Sequence, residues 1–423
     1  MRPRARWPLS LAAAAALASA PAGADDLAAR ARALHRDAIV VDAHLDAPDQ
    51  LSEKWADVGK RGATPHFDIP RALEGGLTAP FFSIYVAAKY DGRGAARRAL
   101  ELIDLTRRVV DGHPREMVLA ASVAEIRAAK QAGKIAVLMG IEGGHAIEDS
   151  LPVLREMYRA GVRYMTLTHT NTNHWADSSG RFTETGPEVK RLAVHGGLSD
   201  FGREVVKEMN RLGMIVDVSH VSGDTIDDVL AVSRAPVMAS HSSCRAISEV
   251  PRNLGDDQIK RIAAKGGVVM INVSSAFTDQ KVWEWYKAAA RKIQPALTKL
   301  RDELRNDPDK LEAATIALWS QAGAPPRAQW TKVVDHIERV IQLAGEDAVG
   351  LGTDFDGIED PPIGLEDVSL LPRLTEELLR RGHSEARVRK VLGENFLAFF
   401  ARVEAVRGQL AKEPPSAAVY RGK

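Results

Sequence analysis

Through almost the whole length of this chain, short β-branched or aliphatic runs alternate with longer amphipathic stretches, and that alternation limits the fold more than any other feature. A chain that returns to strand after each helix cannot close its strands by tight hairpins, so it builds a parallel sheet covered by helices. Eight candidate strands can be read: Ala38 to Val41, Pro80 to Val86, Ile135 to Ile141, Tyr164 to Thr168, Ile215 to Ser219, Pro236 to Ser240, Val268 to Val273 and Ala348 to Thr353. Among the intervening segments, Arg97 to Val110, Leu151 to Ala160, Asp200 to Leu212, Asp224 to Val232 and Asp256 to Ala264 carry apolar residues at helical spacing. Eight such units in one continuous stretch predict a (β/α)8 barrel of the TIM type over residues 25–411, rather than two open-sheet domains.

One stretch exceeds a minimal barrel. Ser274 to Glu346, between the seventh and eighth strands, is rich in Ala, Lys, Arg and Glu, and reads as an inserted helical pair over Val282 to Asn306 and much of Asp309 to Ser320. Pro325-Pro326 marks the return to the helix that leads into Leu343. An insertion on a β-to-α loop sits over the catalytic face of a barrel, where it can shape a pocket or an oligomer contact. The last segment, 412–423, with Pro414 and Pro415, is expected to be a loosely ordered tail.

With 423 residues, 45% of them hydrophobic, the chain can bury a core of barrel size. Lys and Arg number 57 against 56 Asp and Glu, a net charge of +1 that leaves no electrostatic footprint for nucleic acid or an anionic membrane. Arg2, Arg4 and Arg6 precede the apolar run Leu9 to Ala20, and the small residues Ala22-Gly23-Ala24 follow. This is the layout of a signal peptide over residues 1–24, with a mature chain starting near Asp25 and an exported, periplasmic or secreted product. An Ala-rich N-terminal helix of the mature fold is the other reading, and the flanking Pro8 and Pro21 stand against it. No later apolar run approaches the roughly 20 residues that cross a bilayer. Cys244 is the one cysteine, so no intrachain disulfide can form, and no cysteine near the cleavage site offers a lipid anchor.

Polar residues cluster at the strand ends. The first strand leads into Val-Asp-Ala-His-Leu-Asp, which puts His44 and Asp46 two residues apart and, in an extended chain, on one side. Imidazole nitrogen and carboxylate oxygen are suitable zinc donors at about 2.0 to 2.2 Å. Taken alone, the pair could equally be a polar strand end bonded to its loop. Glu142 leaves the third strand beside Gly143 and Gly144, which permit close approach to a ligand. A buried carboxylate there needs compensation, from a pair of cations that it bridges or from an Arg or Lys in the same barrel mouth. His145 reads as a supporting residue rather than a ligand.

Two further strands finish on histidine, at His220 and His241. Because all eight carboxyl ends of a barrel meet on one face, His44, Asp46, Glu142, His220 and His241 can form one five-residue ligand set. His169 follows the fourth strand, where it can support an oxyanion or cap a loop. Asp354 and Asp356 follow the eighth; either can move protons near a metal-activated water or make an Asx turn. Arg252, on the loop after the His241 strand, can hold a substrate carboxylate in bidentate fashion.

At these residues the sequence resembles the membrane dipeptidase family, also called renal dipeptidases (peptidase family M19), and particularly its bacterial secreted members. The stretches that carry the resemblance are Asp42 to Asp46, Ile141 to His145, Arg163 to His169, Asp217 to His220, Ser240 to Ser243, Arg252-Asn253 and Gly352 to Gly357. Gly364 to Val368 and Gly393 to Phe396 look like the family as well. The resemblance implies a barrel of the metal-dependent hydrolase kind with two Zn2+ per chain. In it His44 and Asp46 bind one ion, His220 and His241 the other, and Glu142 bridges them. It further implies that His169 and Arg252 bind substrate, that Asp354 binds substrate and assists proton transfer, and that a metal-bridging hydroxide hydrolyses dipeptides to free amino acids. Mammalian members carry a lipid-anchor signal and bridging cysteines, and neither transfers to a chain with polar last residues and only Cys244. A homodimer stays open. Two other readings also stay open: an amidohydrolase-type barrel acting on N-acyl amino acids, lactones or cyclic amides, and a periplasmic protein that captures peptide or metal without turnover. A metal-bridging Lys on strand four would favour many of the former; here that strand supplies His169.

Overall fold

A computed structural model of the chain describes residues 24–181, 183 and 192–422. Nine strands are present among the described residues: β1 (Val41–Leu45), β2 (Ala79–Tyr85), β3 (Met117–Leu119), β4 (Ile135–Glu142), β5 (Val162–Thr166), β6 (Ile215–Asp217), β7 (Met238–Ala239), β8 (Val268–Ile271) and β9 (Val349–Leu351). All pairings between them are parallel, and the ring runs β1-β2-β4-β5-β6-β7-β8-β9 and back to β1. That is the closed eight-stranded (β/α)8 barrel expected from the alternation of elements. β3 stands outside the ring and pairs only with the start of β4, Met117 against Ile135. The sequence pattern does not reveal it, because three residues, one of them exposed, carry no period.

Each ring strand is almost wholly buried, as helices on the outside and side chains on the inside require. The interior holds Val41, Ala43, Phe81, Leu138, Tyr164, Ile215, Met238, Val268 and Met270, and it forms one cluster with Phe396, Phe399 and Phe400 of the helix Asn395–Leu410. The interior is therefore a packed core, and chemistry is confined to the mouth formed by the strands' carboxyl ends.

Two sequence expectations need correcting. The first strand is not Ala38 to Val41 but Val41–Leu45. The apolar run ends at Val41, yet the strand continues through the polar Asp42 because Thr353 donates to both its carboxylate oxygens, from the backbone N–H at 2.8 Å and from the hydroxyl at 2.5 Å. Nor does strand alternation bring His44 and Asp46 together. The pairing of β1 with β2 shifts register between Asp42 and Leu45, an irregularity of the kind that re-aims side chains beside active sites. Asp46 lies past the strand, at the start of the helix Ala47–Glu53.

Between β8 and β9 run the helices Ser275–Thr278, Gln280–Glu303, Pro308–Ser320 and Thr331–Ala344. Trp283 packs with Val250 and Phe277 near one side of the mouth, while Asp309 and Glu312 receive Lys89 from the loop after β2, at 3.0 and 2.8 Å. The inserted helices thus reach from β8 past β9 and β1 to the loop after β2. The leader reading falls on residues of which 1–23 lie outside the described ones. No described helix is long and apolar enough to cross a membrane. The segment after Glu413 has no regular secondary structure, but it is tied down: the Ser416 hydroxyl donates to Glu204 at 3.0 Å, and the Tyr420 ring stacks on His174.

Candidate metal centre

The strand ends bring seven of the eight residues read from the sequence together, six of them around or next to one oxygen atom of the seventh, Glu142. Glu142 Oε1, at the end of β4, lies 3.0 Å from His220 Nε2, 3.3 Å from His241 Nε2, 3.6 Å from His44 Nε2 and 4.0 Å from His169 Nε2. On the β1 side, His44 Nε2 is 3.4 Å from Asp46 Oδ2 and 4.0 Å from Asp354 Oδ1. Groups with donor atoms close enough to share a cation are His44, Asp46 and Glu142; Glu142, His169 and His220; and His44, His241 and Asp354. The first is the expected set for one ion plus the bridge. The other two cut across the expected division, drawing in His169 and Asp354.

The local backbone is shaped for this crowding. His220 and Asp354 both take left-handed conformations, with φ of 67° and 65°, which non-glycine residues adopt sparingly and chiefly where surrounding structure enforces it. A Cβ on Gly357 would sit 2.3 Å from Asp46 Oδ2 and 2.8 Å from Asp354 Oδ1, so only glycine lets the chain pass so near both carboxylates.

Two buried aspartates, Asp42 on β1 and Asp217 on β6, support the strand ends that carry His44, His220 and His241. Asp217 accepts from the backbone N–H groups of Ser219 and Ser240 and from the hydroxyls of Thr166 and Ser240. Since Ser240 gives its one proton to Asp217, its oxygen must accept from His241 Nδ1, 2.7 Å away. His241 Nε2 is then a lone pair, and it faces His220 Nε2 at 2.9 Å. His44 Nε2 and Asp46 Oδ1 are buried without any hydrogen-bond partner.

Electrostatics agree with this. Burial pushes Asp354 up to about 8, opposed by His44 and reinforced by Asp46 and Glu142. Burial holds His220 and His241 well below the ordinary imidazole value, and His169 at about 4. Burial also works against a charge on His44, but Tyr164, Glu142 and Asp46 outweigh it and raise its pKa. Asp46, Glu142 and Asp354 thus supply oxygens beside imidazoles of which three, His169, His220 and His241, are held neutral by burial, a mixed oxygen and nitrogen donor set. Such a set fits divalent cations of the zinc type, which take mixed nitrogen and oxygen ligands.

Arg252 is buried on the rim. Its bonds to Ser242 Oγ and the His241 carbonyl are long, 3.4 and 3.5 Å, and no carboxylate among the described residues lies within ion-pair distance of it. Burial lowers its pKa to about 10. A guanidinium kept this dry and this loosely bonded suits an incoming anion.

Asp356 turns out to be structural: its carboxylate accepts from His66 N–H at 2.7 Å, and its own N–H donates to His66 Nδ1. His145 is buried but belongs to none of the candidate groups. Sequence reasoning missed Asn272, whose side-chain N–H donates to Asp354 Oδ2 at 2.7 Å, and Tyr85, whose ring meets His169 edge-on. Asn272 directly follows β8, and a polar residue at that strand end was the available signal. Nothing in the sequence marks Tyr85 apart from an apolar strand.

Comparison with known proteins gives a consistent result. A sequence model of the membrane dipeptidase family (Peptidase family M19) matches residues 28–414. Among solved structures, the chain is similar to the "probable dipeptidase PvdM from Pseudomonas aeruginosa", with 26% identity, a TM-score of 0.78, and coverage of 90% of this chain and 99% of that one. It is similar to a metallopeptidase of family M19 described as dipeptidase AC, with 26% identity, a TM-score of 0.70, and 87% and 99% coverage. It also resembles a metallopeptidase from Rhodobacter sphaeroides, liganded with a phosphinate mimic of the dipeptide L-Ala-D-Ala, with 26% identity, a TM-score of 0.68, and 86% and 99% coverage.

Proposed function

Since the chain belongs to the membrane dipeptidase family, peptidase family M19, and is a metal-dependent dipeptidase, we propose that it works with two zinc ions per chain. His44 and Asp46 would hold one, His220 and His241 the other, and Glu142 both. The observation that carries this reading is the convergence of four imidazole Nε2 atoms within 4.0 Å of the single oxygen Glu142 Oε1. Bound there, zinc would supply Lewis acidity, both to make water nucleophilic at neutral pH and to polarise the peptide carbonyl.

The chain's own residues would do the rest. Arg252 receives the substrate's free carboxylate and so fixes the scissile bond over the centre. His169, uncharged and 4.0 Å from Glu142, lends an N–H to the developing oxyanion. Asp354, held by Asn272 and inclined by its surroundings to keep a proton, passes one to the departing amine. The long insertion and the Lys89 contact would frame the mouth. The N-terminal segment would direct export.

Arg252→Ala tests the substrate assignment. Loss of a charge-assisted, bidentate contact costs about 1.5 to 3 kcal/mol, or roughly 10- to 150-fold in kcat/KM. The fall should appear with dipeptides, while dipeptide amides lose much less and zinc content stays constant. An unchanged ratio of free-acid to amide hydrolysis removes Arg252 from the carboxylate site. Preference of wild type for N-acyl amino acids over dipeptides would favour the amidohydrolase reading instead.

A further inference from the structure

Tyr164 on β5 is fully buried in the barrel interior, directly beneath the cluster. Its ring centroid is 5.1 Å from that of Phe81, and it passes so close to β4 that a Cβ on Gly140 would lie 2.0 Å from Tyr164 Cζ. Glycine at 140 is what lets the ring reach the axis. There its hydroxyl stands 2.7 Å from His44 Nδ1, its one hydrogen bond among the described residues.

An imidazole that offers Nε2 to a cation must carry its proton on Nδ1, and a buried N–H needs an acceptor. Carboxylates often take that role. At His44 a carboxylate would add another acidic group to a site that already crowds Asp46, Glu142 and Asp354 around one imidazole. A phenol oxygen accepts the same proton without net charge. His241 is supported differently, through Ser240 and the carboxylate of Asp217.

We propose that Tyr164 is a positioning residue of the metal centre: its hydroxyl oxygen accepts the Nδ1 proton of His44, which keeps Nε2 a lone pair aimed at Asp46 and Glu142. This rests on the reading of His44 as a ligand. Tyr164 touches neither substrate nor metal, and its effect passes entirely through His44.

The test is a double-mutant cycle read as zinc affinity, with zinc alone titrated against a competing chelator in wild type, Tyr164→Phe, His44→Ala and the double variant. Tyr164→Phe keeps the ring and should weaken one of the two zinc ions by roughly 10- to 100-fold, with activity recovering at saturating zinc. In the His44→Ala background the same change should shift zinc affinity by less than about twofold, since the partner is gone. Wild-type affinity in Tyr164→Phe, or a loss that persists undiminished without His44, overturns the proposal. If His44→Ala itself keeps both ions, the ligand reading falls and the proposal with it. If His44→Ala loses one ion while Tyr164→Phe is silent, only the proposal falls. Should Tyr164→Phe fail to fold, nitrogen-15 shifts of the zinc-loaded wild type decide the matter: a proton on His44 Nδ1 supports the proposal, and a bare Nδ1 contradicts it.

Discussion

Stripped of metal by a chelator, the protein should lose all measurable dipeptide hydrolysis and regain it when zinc is added back. The expectation follows from what the chain lacks as much as from what it has. Among the described residues, no side chain at the mouth is prepared to attack a carbonyl. The Ser240 hydroxyl gives its proton to Asp217 and accepts from His241, and the Ser219 and Ser242 hydroxyls bond to each other at 3.2 Å. Cys244 is buried, with its thiol pushed up to about 12 by desolvation. In the proposed mechanism the nucleophile is water, and bulk water, with a pKa near 15.7 against about 7 when bound to zinc, supplies roughly eight orders of magnitude less hydroxide at neutral pH. Full turnover by a sample shown to be metal-free would exclude this mechanism.

Glu142→Gln should have the next largest effect. The side chain keeps its shape, but its oxygen no longer carries the charge that in the proposed centre would balance two cations, and its new N–H group faces nitrogen lone pairs 3.0 and 3.3 Å away. Loss of an outer hydrogen-bond partner alone costs roughly 10- to 100-fold in metal affinity, so loss of the shared anion should cost on the order of 100-fold or more for both ions. At zinc concentrations that saturate wild type, activity should fall on the order of 1,000-fold. Elemental analysis that finds two zinc ions held with unchanged affinity would place Glu142 outside the coordination sphere.

Much of this centre is legible in the sequence because a barrel gathers strand ends. His220 and His241 each follow a short apolar run, and Glu142 closes one, so once the alternation of strand and helix is recognised their convergence follows from topology. What the sequence hides depends on contacts between strands far apart in the chain. Asp42 looks like the end of a strand until Thr353, 311 residues away, is seen to satisfy it. Tyr164 reads as one more core aromatic, because its relation to His44 depends on the depth of a ring over Gly140 and on a register shift in β1. Asp354 and Asp356 are the same residue type two positions apart, and only their partners, Asn272 for one and His66 for the other, separate a residue at the centre from one that braces a loop.

The most direct test of the two-metal centre is an anomalous difference map, collected at the zinc edge from crystals of the zinc-loaded protein. Two peaks are expected, roughly 3.5 to 4 Å apart. One should lie within about 2.2 Å of ligand atoms on His44 and Asp46, the other equally near His220 and His241, with a Glu142 oxygen on each. A single peak, or zinc bound away from these five side chains, would contradict the account.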